Sequence, residues 1–246
     1  LAYNGKNYHG WQSQQNAHSV QDEIEKCLSL KLNEQIRVTG CGRTDTGVHS
    51  RDFYAHFDTL CQFNLNEASV FIHQLNQFLP QDIVVYEMIE VVPEANARFD
   101  AISRTYNYYI SRNKNPFDNE TSYYVYGNLN VNLMQKAANI LFDYEDFTSF
   151  SKLHSQTKTN NCSILEAQWT ENESGLIFEI TANRFLRNMV RAIVGTLLEV
   201  GKGKISVNEF RSIIEQRNRN KAGFSVPAHA LFLQKVAYPE EIFVKI

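Results

Sequence analysis

The sequence predicts an α+β protein with a largely antiparallel sheet, built as two related halves. Stretches in which apolar and polar residues alternate, the period of a half-buried strand, are interspersed with stretches in which apolar residues recur every three or four positions, the period of a helix. This succession of strand, helix and strand occurs twice in 246 residues and breaks near residue 100, although no residue-level repeat is visible. The halves are predicted as 1–100 and 101–246.

The first half is predicted to contain two helices and four strands. Apolar residues between Ser19 and Leu32 recur at helical spacing behind a serine, a favoured N-cap residue. A second helix is predicted from Glu67 to Leu79. It is expected to end there because Pro80 cannot continue a helix. One strand is predicted in the opening stretch LAYNG, where it runs into an Asn-Gly turn, and the others at 36–38, 53–58 and 82–91.

The second half opens with an aromatic-rich alternating strand from Ser103 to Ile110. An apolar stripe that begins at Phe185 predicts a strong helix ending at Gly201 and Gly203. The polar stretch 151–163 is predicted to be a long mobile loop. A helix is also predicted at 132–142, and strands at 166–169 and 176–181.

Composition indicates a soluble globular protein, since 43% of the residues are hydrophobic and 12% aromatic. We expect a cytoplasmic protein without a membrane segment, because no run of eighteen apolar residues and no secretory leader pattern occurs. The four cysteines form no Cys-x-x-Cys pair and the seven histidines lack ligand spacing. We therefore expect no metal site and inert thiols.

Charge is unevenly distributed along the chain. The net charge is −3, yet residues 184–221 contain nine cations and three anions. A basic segment on an acidic protein can present a polyanion with one attractive face.

The stretch GCGRTDTGVHS, Gly40 to Ser50, is the first candidate site. Gly42 and Gly47 are predicted to allow a positive φ or a close approach of another group, which suits a tight loop that presents Asp45. Arg43 is placed to orient this carboxylate and to favour its ionised form. From chemistry alone, an ordinary Asx-turn or a surface ion pair is the favoured interpretation of these residues.

The second candidate site lies in the second half. Arg184, Arg187 and Arg191 stand at spacings of three and four, so they are predicted to share one helical face. Their arrangement is also typical of a solvated basic surface. Tyr106 is placed to stack on a base, but an aromatic residue on a strand also serves as core.

Longer blocks extend this interpretation. GRTDTGVHS at 42–50 resembles the signature loop of the tRNA pseudouridine synthase A family. Other blocks resemble the family in the right order over nearly the whole chain: LAYNGKNYHGWQSQQ at 1–15, ARFDAISRTYNYYI at 97–110, DFTSFSK at 146–152, RFLRNMVRAIVGTLLEVGKGK at 184–204 and AGFSVPAHALFLQKVAYP at 222–239.

The resemblance implies roles for individual residues. Asp45 resembles the catalytic aspartate, Arg43 the neighbouring cleft arginine and Arg191 the arginine that pairs with the aspartate. Tyr106 resembles the tyrosine that stacks on the target base, and Leu231 an apolar residue of the base pocket. Further RNA contacts are expected from Arg184, Arg187, Lys202 and Lys204.

The resemblance also implies an architecture and a reaction. The expected fold is that of pseudouridine synthases, with a central RNA-binding cleft. The expected activity is the isomerisation of uridine to pseudouridine in the anticodon stem-loop of tRNA, by a homodimer that needs no cofactor and no metal. Two alternatives stay open: a non-catalytic tRNA-binding protein or chaperone on the same scaffold, and a hydrolase such as a glycosidase, which would need a second carboxyl group near Asp45.

Overall fold

The computed structural model describes residues 1–152, 159–173 and 175–244, and the chain forms two compact units. Unit 1 comprises Leu1–Ile102 and Leu233–Ile246, and unit 2 comprises Ser103–Phe232. The C-terminal segment thus groups with the N-terminal unit. Local periodicity does not signal this grouping, because it depends on contacts between residues that are far apart in the sequence.

Unit 1 combines short strands with two capped helices. β1 pairs antiparallel with β3 and with β5, and β2 pairs antiparallel with β4. Both helices begin at capping boxes, in which Ser19 and Asn64 exchange hydrogen bonds with an acidic residue three positions later. The elements are β1 (Ala2–Tyr3), α1 (Val20–Leu32), β2 (Thr39–Gly40), β3 (His49–Ser50), β4 (Ala55–His56), α2 (Leu65–Phe78) and β5 (Ile83–Val84).

The predicted helices of this unit are confirmed, but its strands differ from those predicted. Residues 36–38 form no strand and β2 follows at Thr39–Gly40, and the strand predicted to begin at Phe53 is regular only in β4. The strand expected over 82–91 is regular only in β5. Directly after it, the Asn76 side chain accepts a hydrogen bond from Val85 N and donates one to Val85 O. These two bonds satisfy the backbone groups that a continuing ladder would use, so the strand ends there.

Unit 2 is an antiparallel sheet with helices packed on it. β9 lies between β6 and β8, and β7 pairs parallel with β6. α3 contacts α4, α5 and β8. The elements are β6 (Ser103–Ser111), β7 (Tyr123–Tyr124), α3 (Val131–Asn139), β8 (Ile164–Asn172), β9 (Gly175–Ala182), α4 (Met189–Gly201) and α5 (Val207–Glu215). β10 (Leu231–Ala237) begins at the end of this unit and continues in unit 1.

The register of unit 2 shows which face is core. Tyr108 of β6 lies opposite Phe178 of β9, which in turn lies opposite Trp169 of β8. All three rings are buried, so this face carries the core. At the outer strand β8, the Gln135 side chain donates to Ala167 O and accepts from Trp169 N. It thereby occupies backbone groups that an edge strand leaves open.

The α+β class with a mostly antiparallel, mixed sheet is confirmed, with three differences in detail. The strong helix begins at Met189 and not at Phe185, and the helix predicted to end at residue 142 ends at Asn139, followed by one 3-10 turn. α5 was not predicted, although Ser206 and Glu209 form the Ser-x-x-Glu box that marks its start. Residues 153–158 of the predicted mobile loop 151–163 lie outside the described residues.

Candidate active site

Asp45 lies in the irregular segment between β2 and β3, and its side chain is partly exposed. Val48 N donates to Asp45 O at 3.1 Å, which closes a turn, and Gly47 within this turn has a φ of +78°. The prediction for Gly47 is confirmed, because an L side chain rarely adopts this conformation. The prediction for Gly42 is wrong: its φ is not positive and an added Cβ would meet open space.

The N-terminal segment lies against this loop and hydrogen-bonds to its backbone. Trp11 N donates to Thr44 O at 3.4 Å, and Gly47 N donates to Tyr8 O at 3.3 Å. A Cβ on Gly10 would overlap Thr44 O, so the two backbones approach as closely as they do only because residue 10 has no side chain. The loop is therefore held by residues more than thirty positions earlier in the chain.

Side-chain hydrogen bonds also hold this loop and the N-terminal segment in place. The Tyr3 hydroxyl forms a 2.9 Å hydrogen bond with Thr44 Oγ1, and Gly5 N donates to His49 Nδ1 at 3.0 Å. Tyr8 donates from its hydroxyl to Asp82, and burial together with this carboxylate raises the pKa of Tyr8. The Tyr8 phenol therefore stays protonated and serves as an anchor.

Tyr106 lies near the start of β6, on the face that Tyr108 shares. Its ring packs edge-to-face on Phe185 with centroids 5.1 Å apart and is only partly buried. Phe185 thereby restricts the orientation of the ring, and part of the Tyr106 side chain remains accessible. This arrangement suits a stacking platform.

Arg191 lies in the first turn of α4 and is bonded to a passing loop. Its Nε donates to Val226 O at 2.7 Å, and Val226 N donates to Arg191 O at 3.2 Å. The next residue, Pro227, accepts from the Tyr108 hydroxyl at 3.0 Å. Helix α4 and strand β6 are thus both anchored on residues 226–227, and Leu231 follows as a buried residue at the start of β10.

The loop that carries Val226 lies unusually close to α4. A Cβ on Gly195 would overlap Phe224 O, and Gly223 N donates to Thr196 Oγ1 at 2.9 Å. Arg219 donates to the carbonyls of residues 222 and 223 and to Ser225 Oγ. Sequence reasoning missed this support, whose only local signal is the small-residue pair Ala222-Gly223.

The three arginines predicted to share a helical face do not do so. Arg184 and Arg187 precede α4, and only Arg191 belongs to it. The helix begins later because Asn188 adopts a left-handed conformation with a φ of +68° and donates from its side chain to Ser225 Oγ. Arg184 is half-buried and Arg187 is exposed.

Four further cations of segment 184–221 divide into two groups. Arg211 pairs with Asp143 at 3.0 Å and Arg217 with Asp146 at 3.1 Å, so their charges are partly neutralised within unit 2. Lys202 and Lys204 are exposed just beyond the end of α4. They lie roughly one helix length, about 20 Å, from the N-terminal end that carries Arg191.

No group of three potential metal ligands occurs among residues 1–152, 159–173 and 175–244. Cys27, Cys41 and Cys162 are buried, as expected of inert thiols, whereas Cys61 is exposed. Burial raises the pKa of Cys162 to about 11, so it is a neutral thiol at physiological pH. Over the described residues, no helix is both long and apolar enough to span a membrane.

Unit 1 carries the hydrogen-bonded loop of Asp45, and unit 2 carries Tyr106 and the anchored Arg191. Residues 137–239 match a family model described as tRNA pseudouridine synthase. Proteins named tRNA pseudouridine synthase A are 52% identical over 243 residues in Parabacteroides distasonis and 53% identical over 246 residues in Bacteroides thetaiotaomicron. These alignments cover 99% of this chain and 96% and 90% of the relatives.

A more distant relative of the same name, from Bacillus subtilis, is 39% identical over 243 residues, which is 97% of both chains. Identity at this level over whole chains reflects common descent and a shared fold. The chain belongs to the tRNA pseudouridine synthase A family.

Proposed function

We propose that this protein isomerises uridine to pseudouridine on the 3′ side of the tRNA anticodon stem-loop, with Asp45 as the catalytic carboxylate. As a member of its family the chain is an isomerase that acts on tRNA. The observation that carries the choice of Asp45 is its presentation, partly exposed, on a loop that backbone and side-chain hydrogen bonds hold in place.

The reaction needs a carboxylate and a way to hold a flipped base. The bond between N1 and the ribose breaks, the uracil rotates, C5 bonds to the same ribose carbon, and the C5 proton is released while N1 regains one. Nothing is oxidised or transferred, so we expect no cofactor. Asp45 either adds covalently to the nucleoside or removes the ribose C2′ proton, and both roles require the ionised carboxylate.

Reaching a stacked nucleotide requires flipping it out, at a cost of about a few kcal/mol. Stacking on Tyr106 would return about 1–3 kcal/mol of this cost. Arg191 is proposed to pair with Asp45 in the working enzyme, Arg43 to orient it and Leu231 to line the base pocket.

Tritium release from tRNA that carries 5-tritiated uridine tests the reaction, because isomerisation exchanges the hydrogen at C5. We expect release by the wild-type protein and a loss of at least about a thousandfold in Asp45→Ala. If Asp45→Ala retained activity, the assignment of the carboxylate would be wrong. Binding of tRNA without release by either protein would favour the non-catalytic alternative, and liberation of free uracil would favour the hydrolase.

We further propose that the enzyme acts in the cytoplasm as a homodimer and that Lys202 and Lys204 contact tRNA phosphates together with Arg184 and Arg187. Replacing both lysines with Ala should weaken binding by the same factor for all tRNAs. It should also reduce the slope of log Kd against log salt concentration by about one to two, as expected for the loss of one or two phosphate contacts. The matched control removes two exposed lysines of α1, Lys26 and Lys31. Equal salt slopes for both double variants would contradict the proposed contact.

A further inference from the structure

The residue immediately before Asp45 is held by a buried pair of hydroxyl groups. Tyr3 of β1 and Thr44 are 4% and 8% exposed, and their hydroxyls are 2.9 Å apart in a hydrogen bond between positions 41 residues apart in sequence. We propose that Tyr3 is a positioning residue, which acts through Thr44 to hold the Asp45 carboxylate in its reactive orientation. This inference rests on the proposed function of Asp45.

The Tyr3 ring is itself fixed on several sides. It packs edge-on against Phe53 with centroids 5.5 Å apart and lies 6.1 Å from Trp11. β1 pairs with β3 on one side and with β5 on the other, so the backbone of Tyr3 is fixed as well. The phenol hydroxyl therefore occupies one position, and Thr44 must meet it there.

Thr44 is consequently held through both its backbone and its side chain. Its carbonyl accepts from Trp11 N and its hydroxyl bonds to Tyr3. On the far side of Asp45, the turn to Val48 fixes the Asp45 carbonyl. The peptide units on both sides of Asp45 are thus constrained, which limits the directions in which its Cα–Cβ bond points. Misplacement of a catalytic group by about 1 Å can cost about a hundredfold in rate.

The test compares Tyr3→Phe, Thr44→Val and the double variant by single-turnover tritium release at saturating protein, together with the Kd for tRNA. Each single variant removes the same hydrogen bond. We expect each to lower the rate about tenfold, the double variant to be no slower than the singles, and the Kd to change less than about twofold. Thr44→Ser keeps the hydroxyl and should retain most of the rate.

Tyr238→Phe is the matched control, because it removes another tyrosine hydroxyl of unit 1, which donates to Ala97 O. It should lower the thermal midpoint about as much as Tyr3→Phe does and leave the rate unchanged. A Tyr3→Phe rate equal to that of Tyr238→Phe, or fully multiplicative effects in the double variant, would overturn the proposal. If Thr44→Val fails to fold, the proposal is tested by comparing the tritium-release rate of Tyr3→Phe with the rates of Thr44→Ser and Tyr238→Phe.

The outcome can be separated from failure of the proposed function. If Asp45→Ala is inactive while Tyr3→Phe is fully active, Asp45 keeps its role and only the positioning role of Tyr3 is lost. If Asp45→Ala remains active, the function of Asp45 itself is wrong and the proposal falls with it.

Discussion

The loop around Asp45 and the start of α4 around Arg191 are held in different ways. Asp45 lies in a segment without regular structure, and its neighbours bond to polar atoms of residues 3–11. Arg191 lies in a helix whose own hydrogen bonds already fix its backbone, and what is added is the close passage of residues 222–226. The loop therefore relies on bonds to other elements for its conformation, whereas the start of α4 combines its own helical bonds with bonds to Val226 and a close approach of the passing loop.

This difference shows how each site is expected to fail. A tightly packed helix responds most to added volume, because backbone atoms cannot move aside without disturbing the core. A loop held by hydrogen bonds responds to a change of backbone conformation or to the loss of a polar partner. Substitutions that add one methyl group at matched glycines separate the two kinds of support.

The largest effect is expected for Gly195→Ala in α4. The new methyl group would overlap Phe224 O, a backbone atom, so we expect a loss of about 3 kcal/mol in the free energy of unfolding. In Gly201→Ala of the same helix the methyl group would meet the flexible Met134 side chain, so the loss should be clearly smaller. Urea denaturation measures both. Equal losses would mean that the backbone of residues 222–226 moves away from α4 at little cost in stability.

A smaller effect is expected for Gly10→Ala beneath the Asp45 loop. Gly10 and Gly127 share a φ of +88°, but only at Gly10 would a Cβ overlap Thr44 O, whereas Gly127 faces open space. Gly127→Ala therefore reports the backbone strain alone, about 1 kcal/mol, and Gly10→Ala should cost about 2 kcal/mol and also slow tritium release. Unfolding curves and single-turnover rates of the pair test this. If the two variants have the same stability and the same rate, the close approach of Gly10 to Thr44 does not constrain the loop.

The smallest effect is expected from charge, at the acidic side of the pH range. Burial alone would raise the pKa of Asp146, but hydrogen bonds from Thr148 and the Arg217 charge outweigh it, so the folded-state pKa is lowered. The carboxylate therefore stabilises the fold at neutral pH, and this contribution is lost as the pH falls below about 4. We expect under about 1 kcal/mol, because Arg217 is largely exposed.

The measurement compares wild type with Asp146→Asn by urea denaturation at about pH 7 and about pH 3. The variant should be the less stable protein at the higher pH, and the difference should shrink towards zero at the lower one. A difference that is constant with pH would show that the amide disturbs packing and that the charge contributes nothing.

Residue patterns predicted α1, α4 and β6 because each is long enough for its period to be visible. α1 also has a recognisable cap at Ser19, and α4 ends where predicted, with Gly203 at a φ of +68°. The strand predicted over 82–91 is too long, because the Asn76 side chain bonds to Val85 and ends the strand there. Residue periodicity does not show such a contact. The arginine face failed for a related reason, since the left-handed Asn188 delays the helix.

Local periodicity and a contiguous motif are enough to predict the α+β class, the family and the loop that carries Asp45. The folded structure reveals what holds that loop: the hydrogen bond between Tyr3 and Thr44, the close approach of Gly10 to Thr44 O and the hydrogen bond from Gly47 N to Tyr8 O. It likewise reveals that Arg191 bonds to Val226. Such contacts join residues tens of positions apart, and their geometry depends on distances that a linear pattern does not contain.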